Sequence, residues 1–158
     1  MDFVLNEDQQ MIQEMARKFA EEKIAPLAEK IDKEHFFPKE IIDELGELGL
    51  MGVAIPEEYG GGDMGMVEYV VALEEVSRAC ASTGVIMSVN NSLVCDPIFK
   101  FGNEEQKEKY LKPLAAGEKL GAVSLSEAGA GTDAGSISCK AVEDGDHYVL
   151  HGTKLWCT

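Results

Sequence analysis

The chain has 158 residues, of which 14 are basic and 29 acidic, for a formal charge of −15. That length suits one ordinary domain, or one with part of a second, and 45% hydrophobic content supports a packed core rather than a disordered chain. So negative a surface repels phosphate backbones and anionic lipid, which argues against nucleic acid and membrane as partners.

Four cysteines (Cys80, Cys95, Cys139 and Cys157) lie far apart with no C-x-x-C pair. Neither a metal site nor a disulfide frame is suggested, and free thiols in a reducing compartment are the simpler account. The amino end, MDFVLNEDQQ, has no apolar signal core, and no apolar run approaches the roughly 20 residues needed to cross a bilayer. The expected location is the cytoplasm; a mitochondrial matrix origin would require a removed transit peptide.

Helical grammar dominates the first three quarters. Asn6 and Gln9 have the spacing of a capping box, and Ile12, Met15, Phe19, Ile24, Leu27, Ala28 and Ile31 follow at helical intervals. Pro26 should kink or divide that helix. A second helix should begin near Pro38, carry Ile41, Ile42, Leu45 and Leu48 on one face, and stop at Gly49. The Pro and Gly content of IPEEYGGGD (residues 55–63) predicts a loop. A third helix is expected from Met66 to Ala81 with a broad apolar surface of Val67, Val70, Val71, Leu73 and Val76. TGVIMSVNNSLVCDPIFKFG (residues 83–102) is apolar almost all round, as in a helix buried among others. Asn103 and Gln106 repeat the capping-box spacing and open a helix through Leu111 toward Ala116, across Pro113.

After Gly117 the pattern changes. KLGAVSLSE (residues 119–127) reads as a short buried strand, and Ser136 to Val142 alternates with Ile137, Cys139 and Ala141 on one face. Gly145 and Asp146 make a hairpin turn into HYVL, and His151-Gly152-Thr153 leads to a last strand, KLWCT. The predicted class is α+β: an N-terminal all-α helical bundle over residues 1–117, then the first strands of an incomplete antiparallel β domain over 118–158. A terminal apolar strand without a partner, in a sheet of two or three strands, suggests that the sheet is unfinished at Thr158.

SLSEAGAGTDAG (residues 124–135) contains Gly129-Ala-Gly131-Thr-Asp-Ala134, a match to the G-x-G-x-x-A turn of dinucleotide-binding folds. That turn needs a helix directly after it to hold the pyrophosphate, whereas the following residues have β alternation and a hairpin turn. The Rossmann reading fails. Two readings remain on composition: a plain glycine turn, or an anion-binding nest of backbone N–H groups assisted by Thr132.

Resemblance separates them. LSEAGAGTDAG followed by KLWCT resembles the paired motifs of the acyl-CoA dehydrogenase family, a Leu-Ser/Thr-Glu-x-x-x-Gly-Ser/Thr-Asp loop and a later Trp-x-Thr. LGELGLMGVAIPEEYGG, TGVIMSVNNSL and FGNEEQKEKYLKPLAAGE resemble further stretches of that family in the family's order. The likeness spans essentially the whole chain and is strongest to short-chain, butyryl-type members. It implies FAD as cofactor, an acyl-CoA thioester as substrate, trans-2-enoyl-CoA as product, electron-transferring flavoprotein as redox partner, and a homotetramer.

By that resemblance, Val123, Leu125, Ser126, Thr132, Trp156 and Thr158 would contact FAD. Leu125 and Ser126 would meet the isoalloxazine edge, and Trp156 would lie against the ring. Thr132 would also reach the CoA portion, and Ile86, Met87 and Asn90 would line the distal end of the acyl channel. Bulky Ile86 and Met87 would then favour short acyl groups. The sequence departs from the family pattern at Ala128, where proline is usual; at Thr132, where serine is commoner; and at Cys157, where isoleucine is frequent. The family's catalytic glutamate lies in a later domain, so the base is expected beyond Thr158 and residues 1–158 alone are expected to be inactive. Two alternatives stay open: a non-enzymatic helical interaction module derived from the family, and an acyl-CoA oxidase-type flavoenzyme.

Overall fold

The structure, a computed structural model, describes residues 4–157. The chain divides into two compact units, Met1–Gly121 and Ala122–Thr158.

The first unit is helical. Helix α1 (Glu7–Phe19) opens on a complete capping box: Gln9 N–H donates to Asn6 Oδ1 at 2.8 Å, and Asn6 N–H to Gln9 Oε1 at 3.1 Å. After the wide turn Ala20–Ile24 the chain continues as α2 (Ala25–Glu34). Helix α3 (Lys39–Glu47) ends where Gly49 takes φ 73°, and Leu50 N–H returns to Leu45 C=O, a glycine stop of the expected kind. Helices α4 (Met66–Ala79) and α5 (Ala81–Ser88) follow, then the wide turn Val89–Cys95 and α6 (Asp96–Phe101). A second capping box at Asn103 and Gln106 opens α7 (Glu104–Gln106), the wide turn Lys107–Leu111 and α8 (Lys112–Ala115).

The three wide turns share one cause. Each ends two residues before a proline, at Pro26, Pro97 and Pro113. In each, the residue before the proline donates its N–H five residues back: Ala25 to Ala20, Asp96 to Asn91, Lys112 to Lys107. A proline ring collides with the carbonyl four residues back and offers no N–H of its own. Loosening the preceding turn carries the chain past that carbonyl without ending the helix. Pro26 thus divides the first helix as its sequence predicts, but by a π-type turn rather than a break.

The core joins Ile12, Ala16, Ala20 and Ile24 to Tyr69, Ala72 and Val76 of α4 and to Leu45, Leu50, Met51 and Val53. Burying each large aliphatic side chain contributes about 1.5–3 kcal/mol. Helix α4 packs along α1 and carries one buried acid, Glu75, held by Arg17 at 2.7 Å and Arg78 at 3.0 Å. The hydrogen bond from Arg17 holds its carboxyl below the usual carboxylate range. A second cluster gathers Ile55, Tyr59, Cys95, Leu111 and Ala115. Tyr59 donates to Glu104 at 2.7 Å, pinning the loop of residues 55–63 to α7, and that bond pushes the phenol up to about 12. Gly46 and Gly117 let two backbones meet: a Cβ on Gly117 would lie 2.4 Å from Gly46 Cα.

Three helical expectations are corrected. The third helix stops at Ala79, because Cys80 is extended (φ −154°, ψ 111°) and turns the chain into α5. Its buried face is Tyr69, Val71, Ala72, Glu75 and Val76, whereas Val67 and Val70 point to solvent on the opposite side. Residues 83–102 are not buried all round: Val85, Leu93 and Phe101 are exposed, since no element among the described residues covers that face.

The second unit holds β1 (Lys140–Asp144) and β2 (His147–His151), antiparallel, joined by the two-residue turn Gly145-Asp146, with Val142 opposite Val149. A helical unit followed by two antiparallel strands is the α+β order read from the sequence. Residues 119–127 and 154–157 are not strands here. They form no ladder among the described residues, and one backbone–backbone bond links them, Leu155 N–H to Ser126 C=O at 2.8 Å. Residues 134–136 form a 3-10 turn where the alternating strand was expected to begin.

Asn91 anchors the helical unit through a buried side chain. Replacing it with alanine would leave the Val53 N–H and the Leu50 C=O unpaired, at about 2–4 kcal/mol. Chemical denaturation should show that loss for Asn91→Ala, and a change within about 0.5 kcal/mol for Glu105→Ala at an exposed position.

Candidate functional site

Most candidate residues from the paired motifs fall in the second unit, on two segments that meet. Glu127 and Ala130 exchange backbone hydrogen bonds at 2.9 and 3.1 Å around the turn Ala128-Gly129. This fixes the exit of the segment carrying half-buried Val123, exposed Leu125 and half-buried Ser126. The second segment, Lys154–Cys157, lies beside it through the Leu155–Ser126 bond.

A single carboxylate ties these segments together. Glu127 Oε1 accepts from Lys154 Nζ at 2.8 Å and from Cys139 N–H at 3.0 Å. Its Oε2 accepts from Ser138 N–H at 2.8 Å and Ser138 Oγ at 2.7 Å. The glutamate side chain is 7% exposed. Lys154 also donates to Leu125 C=O at 2.9 Å. These donors, the lysine first and then Ser138, hold the Glu127 carboxyl down at about 2.

The glycine loop is open. Among the described residues, the N–H groups of Gly129, Gly131 and Thr132 and the Thr132 hydroxyl have no protein partner. Neither Gly129 nor Gly131 is left-handed, and a Cβ built on either meets nothing within 4 Å. Nothing inside the unit demands glycine there, and what glycine provides is bare, approachable backbone. The adjacent free N–H groups of Gly131 and Thr132 suit an anion such as a pyrophosphate. The Ser126 N–H and hydroxyl and the Leu125 N–H are likewise without protein partners among the described residues.

Trp156 is 87% exposed and takes φ 62°. A bulky side chain in the left-handed region costs about 1–3 kcal/mol, and such strain concentrates at functional sites. An indole turned outward on strained backbone could stack on a flat ligand. The loop, the free donors and the indole fit a flavin dinucleotide. Thr158 lies outside the described residues.

The remaining candidates belong to the helical unit. Ile86 is half-buried against the main core, and Met87 is fully buried in it. Asn90 is also fully buried; its Nδ2 donates to Met51 C=O at 2.7 Å and Leu114 C=O at 3.1 Å, and its Oδ1 accepts from Gly121 N–H at 2.9 Å. A pocket of about 180 Å³ opens nearby between Ile55, Met66, Tyr69, Asn91, Ser92 and Lys100. Ile86, Met87 and Asn90 do not line it. Among the described residues no cluster of His, Cys, Asp or Glu could hold a metal, and no helix is long and apolar enough to cross a membrane.

An α-helical unit leading into a sheet whose first loops expose flavin-suited donors defines a class, and comparison with known proteins agrees with it. The family model "Acyl-CoA dehydrogenase, N-terminal domain" matches residues 6–118. The chain belongs to the acyl-CoA dehydrogenase family. It is 50% identical over 154 residues to the mitochondrial short-chain specific acyl-CoA dehydrogenase of Rattus norvegicus, covering 98% of this chain and 37% of that protein. Butyryl-CoA dehydrogenase from Megasphaera elsdenii superposes with a TM-score of 0.92 at 42% identity, over 99% of this chain and 42% of that one. A chain from structural work on the electron transferring flavoprotein of Acidaminococcus fermentans superposes with a TM-score of 0.95 at 48% identity, over 99% and 41%. The chain therefore spans about two-fifths of the length of these relatives.

Sequence reasoning missed two residues. Glu127 was visible only as a member of the loop motif, and Lys154 only as the start of KLWCT. Their 27-residue separation hides the pair; the signal was an acid and a base each flanking an expected flavin contact. Because the folded Glu127 carboxyl lies near 2, below its ordinary 4.5, the unfolded chain takes up the proton first on acidification. The pair's contribution is therefore complete above pH 4.5 and is lost as pH falls toward 2. Stability measured against pH should decline through that window in the parent, and the decline should be shallower in Glu127→Gln.

Proposed function

We infer that residues 1–158 form the helical domain and first flavin-contacting loops of an FAD-dependent acyl-CoA dehydrogenase acting on short acyl chains. The observation that carries this reading is the meeting of the two motif segments. Ser126 and Leu155, 29 positions apart, are joined by a 2.8 Å hydrogen bond, with bare donors on one side and an outward indole on the other. Family membership and the short-chain relatives supply the reaction class.

When bound, FAD would supply a hydride acceptor for the β-carbon of the thioester. Leu125 and Ser126 offer the ring edge N–H donors and a hydroxyl, aimed at charge that appears during reaction, where such donors act most strongly. Val123 packs at the same edge. Thr132 and the glycine-loop amides bind the pyrophosphate and the neighbouring CoA portion. Trp156 covers the ring and excludes water, with Thr158 following it. Ile86 ends the acyl channel, with Met87 and Asn90 behind it as fixed, buried support.

Glu127 is not the base. Four donors already occupy its carboxylate, and its proton affinity is far too low to remove an α-proton. The base comes from outside residues 1–158, and the electrons pass to an electron-transferring flavoprotein. A homotetramer in the cytoplasm completes the reading.

Purified full-length protein should show a flavin absorbance spectrum that bleaches anaerobically with butyryl-CoA, faster than with long-chain thioesters. Thr132→Val should raise the KM for butyryl-CoA about tenfold, the loss expected for one charge-assisted hydrogen bond. A colourless full-length protein would sink the reading and favour a non-enzymatic helical module. Residues 1–158 alone should not reduce an acceptor.

A further inference from the structure

We propose that Glu127 is a positioning residue, whose carboxylate fixes Lys154 and so holds the Leu125–Ser126 edge and the Leu155–Trp156 edge of the flavin site at one spacing. The proposal rests on the flavin reading above and assigns a role to the one buried acid of the second unit.

The four groups facing this carboxylate are all donors: Lys154 Nζ, Cys139 N–H, Ser138 N–H and Ser138 Oγ. Only an ionised carboxylate accepts from all of them. A glutamine would turn its NH₂ toward one pair and meet donor with donor. An aspartate, one methylene shorter, cannot keep both pairs. Glu127 therefore gathers three stretches of chain, residues 125–127, 138–139 and 154–155, around one charge that is 7% exposed.

Lys154 carries the effect to the flavin edge. Its ammonium donates at 2.9 Å to Leu125 C=O, which belongs to the same peptide unit as the free Ser126 N–H. An ammonium on the carbonyl end of a peptide polarises it and strengthens the N–H at the other end as a donor. The next residue, Leu155, bonds Ser126 C=O from the other side. One lysine, held by one glutamate, thus orients and polarises the peptide that we assign to the isoalloxazine, and it sets where Trp156 begins. The lysine is only 24% exposed, so its charge is poorly screened there.

The test uses full-length protein with its flavin. Glu127→Gln, Lys154→Met and the double variant are compared with the parent for flavin content, flavin reduction potential, kcat and KM with butyryl-CoA, and thermal midpoint. Both single variants are expected to keep flavin, to shift its potential to more negative values, and to lose about tenfold in kcat with KM within about twofold, the pattern of an interaction gained in the transition state. The double variant should be no worse than Lys154→Met, because the two residues act as a unit. Lys154→Arg, which keeps the charge, should recover most of kcat. A Glu127→Gln protein that only melts earlier, with the parent's potential and kcat, overturns the proposal, because a structural tie alone predicts that result. Should Glu127→Gln fail to fold, Ser138→Ala removes one donor and leaves the ion pair. A smaller negative shift in potential then supports the proposal, and the parent's potential overturns it. A parent without flavin defeats the functional reading itself; a flavin-bearing parent whose variants are unchanged defeats only this inference.

Discussion

Two amide side chains, buried side by side on the wide turn Val89–Cys95, hold the helical unit in register. Asn91 bonds the backbone at Leu50, Val53 and Met87, and Asn90 bonds it at Met51, Leu114 and Gly121. Each amide brings two donors and two acceptor sites into buried surroundings, so each becomes a liability unless its partners are present. Leu50 to Val53 is a turn that would otherwise bury unpaired carbonyls and an N–H. The asparagines satisfy it, and the same pair fixes where α8 ends and where the chain leaves the unit at Gly121. Apolar packing supplies most of the stabilisation, but it is non-directional; these bonds choose among packings.

The wide turn that carries the asparagines depends in turn on Pro97. In a regular helix the side chains around positions 89–95 would advance by 100° per residue and rotate Asn90 and Asn91 apart from their present partners. The π-type turn that lets the chain pass the proline slows that advance. A steric feature of one imino acid therefore sets the azimuth of two buried amides. The repetition at Pro26 and Pro113 shows that this is a local rule in the chain rather than an accident of one site.

Features fixed by neighbours in sequence were legible. Both capping boxes, the glycine stop at Gly49, the loop of residues 55–63 and the hairpin turn Gly145-Asp146 each need only residues within a turn of one another. Features fixed by distant partners were not. The apolar stripe Val67, Val70, Val71, Leu73 and Val76 looked like one core face, yet Val67 and Val70 are exposed, Tyr69 and Ala72 turn inward with Val71 and Val76, and the face accommodates Glu75 because Arg17, 58 positions away, meets it. Asn90 and Asn91 sit in a stretch that read as apolar almost all round, and nothing near them in sequence identified their buried backbone partners. Residues 119–127 and 154–157 have strand composition but make one mutual backbone–backbone bond, since a strand is defined by its neighbours as much as by its residues. At the candidate site, the paired motifs identified the segments, whereas the carboxylate joining them could be seen only after folding.

The two units use buried polarity in opposite ways. In the helical unit Glu75 lies between two arginines on rigid helices, and its surroundings are otherwise closed core. In the second unit Glu127 joins segments with little regular structure and almost no core of their own. There an ion pair with convergent hydrogen bonds substitutes for apolar packing as the organising contact. It leaves the free N–H groups and the indole uncovered, because apolar packing dense enough to order these segments would cover the same donors. Charge placed behind the peptide orders it from one side and leaves the other side open. The strained backbone at Trp156 then follows: the Leu155 bond fixes the chain one residue earlier, and the left-handed turn immediately after it directs the indole outward. The exposed indole and the uncovered N–H groups are thus two consequences of one arrangement, in which charge rather than apolar packing orders the segments.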